Sequence, residues 1–154
     1  MVYAIDICNT IADVNKVIEK VLGPNPVPSC YRHPKATEEF WLNNLWVFEE
    51  AQPIANAAEI LQKLNRRNKI IYITARPKRV EDVTKQWLRE HGFPECEIIF
   101  TENKVAVAKS LGIQRAIEDA PHEIEAYLTA GIDVMVKKQP YNTAYLNRFD
   151  WAVA

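Results

Sequence analysis

Between residues 70 and 137 the chain alternates short apolar runs with amphipathic stretches, and glycines punctuate the alternation. The runs 70–74 (Ile-Ile-Tyr-Ile-Thr), 97–101, 114–118 and 133–137 have the length and β-branched content of buried strands. The stretches 80–91, 104–111 and 122–130 carry apolar residues at helical spacing, and Gly92, Gly112 and Gly131 follow them directly, as C-terminal caps do. Residues 3–7 form one more nearly continuous apolar run, of the kind that lies mid-sheet with both faces covered. Such an alternation predicts a doubly wound, Rossmann-like α/β fold: a mostly parallel sheet of five strands with right-handed crossovers.

The first two strands are far apart in the sequence. Residues 15–22 read as a helix closed by Gly23, and the Pro-rich run 23–34 cannot continue any regular element. Helical spacing returns over 35–50, with Phe40, Trp41, Trp46 and Phe48 close together, and over 55–65. Residues 14–54 are therefore read as a small helical cap inserted in a single domain spanning 1–154, a length that suits one core. The aromatic group serves either the packing of the insert or the stacking of a base. Tyr31, Arg32, His33 and Lys35 read as a loop of mixed charge. The tail after Tyr141, with Trp151, is expected to pack across the sheet edge.

Composition excludes several classes. A net charge of -1, from 19 basic and 20 acidic residues, argues against a nucleic-acid surface. No apolar run approaches the roughly 20 residues of a membrane span, and the N-terminus leads straight into a strand, so a cytoplasmic protein is expected. Cys8, Cys30 and Cys96 are odd in number and scattered, which suits reduced thiols.

In open α/β sheets ligands bind beyond the carboxyl ends of the strands. Four polar residues fall there: Asp6, Thr74, Lys104 and Asp119. They offer a nucleophilic carboxylate, a hydroxyl, a cation and a metal-binding carboxylate, the set that moves a phosphoryl group. A Mg²⁺ ion would use one or two protein carboxylates and keep several waters.

The order Asp6-Ile7-Cys8-Asn9-Thr10, then Ile73-Thr74-Ala75-Arg76-Pro77, then Lys104 in Glu-Asn-Lys, then Ile117-Glu118-Asp119-Ala120-Pro121 resembles the four motifs of the haloacid dehalogenase-like (HAD) hydrolases. The helical insertion, the Thr-Ala-Arg-Pro run and the Tyr141-Asn142 ending are similar to the 5'(3')-deoxyribonucleotidase branch and its small bacterial and phage relatives. The resemblance implies a capped Rossmann-like core, dependence on Mg²⁺ and hydrolysis of a phosphomonoester, such as a nucleoside monophosphate, through an aspartyl-phosphate on Asp6. It further implies Asp6, Thr74 and Lys104 as catalytic residues and Cys8, Asn9, Thr10, Ala75 and Arg76 around the substrate. Asp6, the Cys8 carbonyl and Asp119 would hold the metal, helped by Glu118 or Glu123. Asn9 replaces the usual glycine of its loop, and Asn tolerates a positive φ. Cys8 departs from the pattern, since phosphatase members carry at that position an aspartate that protonates the leaving group. The alternative is thus a phosphoryl-ligand-binding or regulatory protein with weak or no turnover. A phosphonate cleaver would need a cap lysine, for which Lys35 is the candidate, and the acidic pair Glu118-Asp119 argues against dehalogenation. A small cap leaves the site open, either to a larger substrate or to shelter by a second subunit in a homo-oligomer.

Overall fold

The computed structural model describes residues 1–151. In chain order the strands are β1 (Val2–Ile5), β2 (Ala12–Asp13), β3 (Gln52–Pro53), β4 (Lys69–Thr74), β5 (Ile98–Phe100), β6 (Arg115–Glu118), β7 (Asp133–Lys137) and β8 (Arg148–Phe149). The helices are α1 (Val14–Leu22), α2 (Glu38–Asn43), α3 (Val47–Glu50), α4 (Ala57–Asn65), α5 (Glu81–Glu90), α6 (Lys104–Ser110) and α7 (Pro121–Thr129). Six strands form one parallel sheet in the order β5-β4-β1-β6-β7-β8, and β2 pairs with β3 in a separate antiparallel ribbon.

Alternation of side chains along each strand builds a core on each face. Tyr3, Ile5, Ile70, Tyr72 and Ile117 point to one side, where they meet Leu61 of α4, Trp87 and Leu88 of α5, and Val47 and Phe48 of α3. Ala4, Ile71, Ile73, Ala116, Val134 and Val136 point to the other, against Ala108 of α6 and Ile124 and Tyr127 of α7. The chain builds outward from β1 through β4 to β5, then returns to the opposite side of β1 for β6 and β7. The switch point therefore lies between β1 and β6.

The doubly wound α/β architecture is the one the alternation predicts, with three differences of detail. A sixth strand is present, because the tail does not lie across the edge: Arg148–Phe149 pairs with Val136 and Lys137 and extends the sheet. Trp151 folds back into the core, its ring edge-on to Phe149 and its Nε1 donating to the carbonyl of Thr10 at 2.7 Å. The helix expected over 35–50 is broken into α2 and α3. Asn44 leaves helical geometry (φ -134°), its Nδ2 donates to the carbonyl of Phe40 at 2.7 Å and its Oδ1 accepts from Trp46 Nε1. An asparagine that bonds its own backbone competes with helix propagation in this way. The β2–β3 ribbon has two residues per strand, too few for any periodic signal, and it closes the base of the segment holding α1 to α3. No helix among the described residues is long and apolar enough to cross a membrane.

Candidate active site

The four strand-end residues converge at the switch point. Asp6 lies one residue past β1, with its N–H bonded to the Ile117 carbonyl at 3.0 Å; Thr74 ends β4, Lys104 opens α6 and Asp119 follows β6. Lys104 Nζ donates to Asp6 Oδ1 at 2.6 Å and to Glu118 Oε2 at 3.0 Å. The Thr10 hydroxyl lies 3.0 Å from both Asp6 Oδ2 and Asp119 Oδ1, so it bridges the two carboxylates. Glu118 spends its other oxygen on the N–H groups of Asp119 and Ala120, at 3.1 and 3.2 Å. It thus anchors both Lys104 and the turn that presents Asp119.

Three buried carboxylates face one ammonium, and their proton affinities diverge accordingly. Burial pushes Asp6 up, but the Lys104 charge and the hydrogen bonds around it outweigh burial and hold its carboxyl below the ordinary range. Burial, with the charges of Asp6 and Glu118, drives Asp119 well above that range. Burial and the Asp6 charge raise Glu118 to about 8. Burial works against the Lys104 ammonium, yet Asp6 and Glu118 hold it well above its usual value. The arrangement favours the ionised form of Asp6 and the protonated forms of its two acidic neighbours.

Cys8 stands two residues beyond Asp6, and burial pushes its thiol up despite the Arg76 charge. Arg76 is only 4% exposed. Its Nε donates to Cys8 Sγ at 3.2 Å, one terminal nitrogen donates to Thr84 Oγ1 at 3.1 Å, and its plane lies 4.5 Å from the Phe48 centroid. The other terminal nitrogen is buried without a hydrogen-bond partner, and no carboxylate pairs with this guanidinium among the described residues. A buried charge normally has a counter-ion. Arg76 itself is among the residues that line the cleft beside Asp6.

That cleft has a volume of about 970 Å³ and is lined by Asp6, Cys8, Thr74, Arg76 and Lys104 together with Trp41 and Phe48 of the insert. The Trp41 and Phe48 rings stack at 5.2 Å and 7°, so the aromatic group packs the insert and lines the cleft at once. Asn9 and Ala75 also line it, whereas Thr10 is fully buried behind the carboxylates. Asn9 adopts φ 63°, the left-handed conformation that its loop requires. Thr74 Oγ1 accepts from the Arg76 N–H at 3.1 Å, closing the turn after β4. Glu123 reaches the cleft with Oε2 buried and unpartnered. Lys35 and Lys109 are exposed and do not line it. The largely exposed 23–34 segment is tied down at two residues: His33 is buried and bonds the Gly23 carbonyl at 3.1 Å, and Tyr31 meets Tyr141 and His122 edge-on.

The sequence profile of a family described as "5' nucleotidase, deoxy (Pyrimidine), cytosolic type C protein" matches residues 4–152. The chain belongs to this family. A protein of Bacillus cereus named "Putative nucleotidase" is 34% identical over 101 residues, covering 62% of this chain and 53% of that protein. The "Putative nucleotidase YqfW" of Bacillus subtilis is 32% identical over 114 residues, 68% of this chain and 58% of the relative. The chain thus spans little more than half the length of these curated relatives. Among solved structures, the haloacid dehalogenase-like family hydrolase SP0104 of Streptococcus pneumoniae shares the fold with a TM-score of 0.63 at 15% identity, over 93% of this chain and 87% of that one.

The HAD-like nucleotidase fold implies a divalent cation, and the donor set of this family member fits one. Oxygens of Asp6, Glu118 and Asp119 lie within 4.8 Å of one another, all buried, without a sulfur or imidazole among them. A set of hard carboxylate oxygens of this kind suits a divalent cation such as Mg²⁺. Of the three, Asp6 and Asp119 have capacity to spare, since Glu118 is engaged by Lys104 and two N–H groups. Sequence reasoning gave no special weight to Tyr141, whose hydroxyl donates to Asp119 Oδ2. Its only signal was its place in the Tyr-Asn ending.

Proposed function

We propose that this chain is a Mg²⁺-dependent phosphomonoester hydrolase acting through an aspartyl-phosphate on Asp6, with a nucleoside monophosphate or a similar small phosphate ester as substrate. The observation that carries the reading is Asp6 itself: a buried carboxylate lining a large cleft, kept ionised by Lys104 at 2.6 Å. Asp6 and Lys104 both line the cleft and are held against each other, so the nucleophile and the cation that would receive the phosphoryl charge are preorganised. Asp6 and Asp119, with the Cys8 carbonyl, would hold Mg²⁺, which when bound neutralises charge on the phosphoryl oxygens. Thr74 and the open N–H of Arg76 would bind the equatorial oxygens. Residues 14–54 would act as the cap, with Trp41 and Phe48 against the organic part of the substrate. Attack by Asp6 on phosphorus expels the ester oxygen, and hydrolysis of the acyl phosphate regenerates the carboxylate.

A second reading has its own observation in favour of it. Cys8 occupies the position of the usual acid, and its thiol, held protonated by burial, is a poor proton shuttle. A binding or regulatory protein with weak turnover would follow. The two readings separate on phosphate release from nucleoside 5'- and 3'-monophosphates and from an activated aryl phosphate, with and without Mg²⁺. Turnover that needs Mg²⁺ and Asp6 supports the hydrolase; silence on every ester, with phosphate binding retained, supports the binding protein.

A further inference from the structure

Residues 137–151 touch the two site loops at more points than an added edge strand requires. Gln139 Nε2 donates to the Asn9 carbonyl at 2.8 Å, and Trp151 Nε1 donates to the Thr10 carbonyl at 2.7 Å. Both acceptors lie in the loop that follows Asp6. On the other side, Asn142 Nδ2 donates to the Asp119 carbonyl at 3.0 Å and to the Lys137 carbonyl at 2.8 Å. The Tyr141 hydroxyl donates to Asp119 Oδ2. One short turn therefore grips the backbone on both sides of the switch point and one carboxylate directly.

The turn is itself fixed. The Gln139 N–H donates to Asn142 Oδ1 at 3.0 Å, and Arg148 of β8 donates to Asn142 Oδ1 and to the Gln139 carbonyl at 3.2 and 3.3 Å. The Tyr141 ring is held edge-on by Tyr31 at 5.1 Å. Strand β8 thus serves as the anchor of a buttress whose far end is Asp119.

We propose that residues 139–142 form a built-in outer shell for the divalent-cation site, with Tyr141 as the positioning residue that orients the Asp119 carboxylate. The inference rests on the metal site of the proposed function. With Oδ1 against Thr10 and Oδ2 against Tyr141, neither oxygen of Asp119 can rotate away, and each keeps a lone pair. A phenol brings no charge, so it orients the carboxylate without neutralising it, unlike the lysine that holds Asp6 and Glu118. Hydrogen-bond partners of metal-ligating groups act in this way, and their loss costs about 10- to 100-fold in metal affinity.

The test is Mn²⁺ binding to the whole chain, followed by the electron paramagnetic resonance of free Mn²⁺ and by competition with Mg²⁺. Tyr141→Phe removes one oxygen and keeps the ring packing. It is expected to weaken Mn²⁺ binding by about 10- to 100-fold in a chain that still unfolds cooperatively in EDTA. Tyr145→Phe, whose hydroxyl bonds Glu125 and the Pro121 carbonyl but none of Asp6, Glu118 and Asp119, serves as the control and keeps wild-type affinity. Gln139→Ala should weaken binding as well, by freeing the Asn9 loop. Wild-type affinity in Tyr141→Phe would overturn the inference while leaving the metal site standing. A wild-type chain that takes up no Mn²⁺ would overturn both, a result distinct from the first and independent of any assay of turnover.

Discussion

Replacing Cys8 by aspartate asks whether the leaving-group acid is the one part the site lacks. The backbone around Cys8 is fixed by its own loop, where the Ile7 carbonyl accepts from Thr10, Ile11 and Ala12 at 3.3, 3.0 and 3.0 Å. A change of side chain there leaves the carbonyl of residue 8 in place. The new carboxylate would meet Arg76 Nε, now 3.2 Å from Sγ, and the terminal nitrogen that has no partner. Burial favours the protonated form of the new carboxyl, the form that can give up a proton, and Arg76 opposes it. A positioned acid contributes about 10²–10⁴ in rate, and most where the leaving group is a poor one. Cys8→Asp should therefore raise kcat on nucleoside monophosphates by about 10²-fold or more and on an activated aryl phosphate by less than about tenfold. Cys8→Asn, of similar shape but unable to give up a proton, should gain on neither. Steady-state phosphate release on both substrate types reads the difference. Equal gains on both, or no gain on nucleotides from an enzyme that turns over the aryl ester, would refute the reasoning.

Lys104→Met leaves Asp6 and Glu118 buried without their cation, and chemical unfolding in EDTA should show a loss of about 3–5 kcal/mol; an unchanged midpoint would count against the buried ion-pair account. Arg76→Met should weaken inhibition by inorganic phosphate by about 10- to 100-fold, the value of a charge-assisted hydrogen bond, while Arg76→Lys recovers part of it. The pH dependence of stability follows from the raised carboxyls. Between 4.5 and about 8, Glu118 in the folded chain holds a proton that the unfolded chain has released, and Asp119 behaves in the same sense. Stability in EDTA should then fall as pH rises through this window, since the native state binds the more protons. Asp6, held low, acts in the opposite sense and only in more acidic solution. Scanning calorimetry in EDTA against saturating Mg²⁺ should find the downward slope in the first and a flatter one in the second; a midpoint that rises toward pH 8 in EDTA contradicts it.

The parts of the molecule that were legible in the sequence are those with a local cause. Strands β1, β4, β6 and β7 declare themselves by apolar runs, and the residues just past them, Asp6, Thr74 and Asp119, follow from the topology alone. Asn9 was legible for the same reason, because a positive φ narrows the choice of residue. What was not legible depends on contacts far along the chain. The motif resemblance places Arg76 around the substrate, but only Phe48, Thr84 and Cys8, from three other segments, reveal that it is buried. Asn44 interrupts a stretch whose spacing is otherwise helical. β8 is two residues long and becomes a strand only because β7 offers a free edge, and through it Tyr141 reaches Asp119.

The central claim is that Asp6 is the nucleophile, and the most direct measurement is to quench a reaction with an aryl phosphate in acid and weigh the peptide that carries Asp6. The account predicts the added mass of one phosphoryl group on that peptide, labile to hydroxylamine, dependent on Mg²⁺ and lost in Asp6→Asn. Phosphate release without that adduct, or turnover that survives Asp6→Asn, would contradict it.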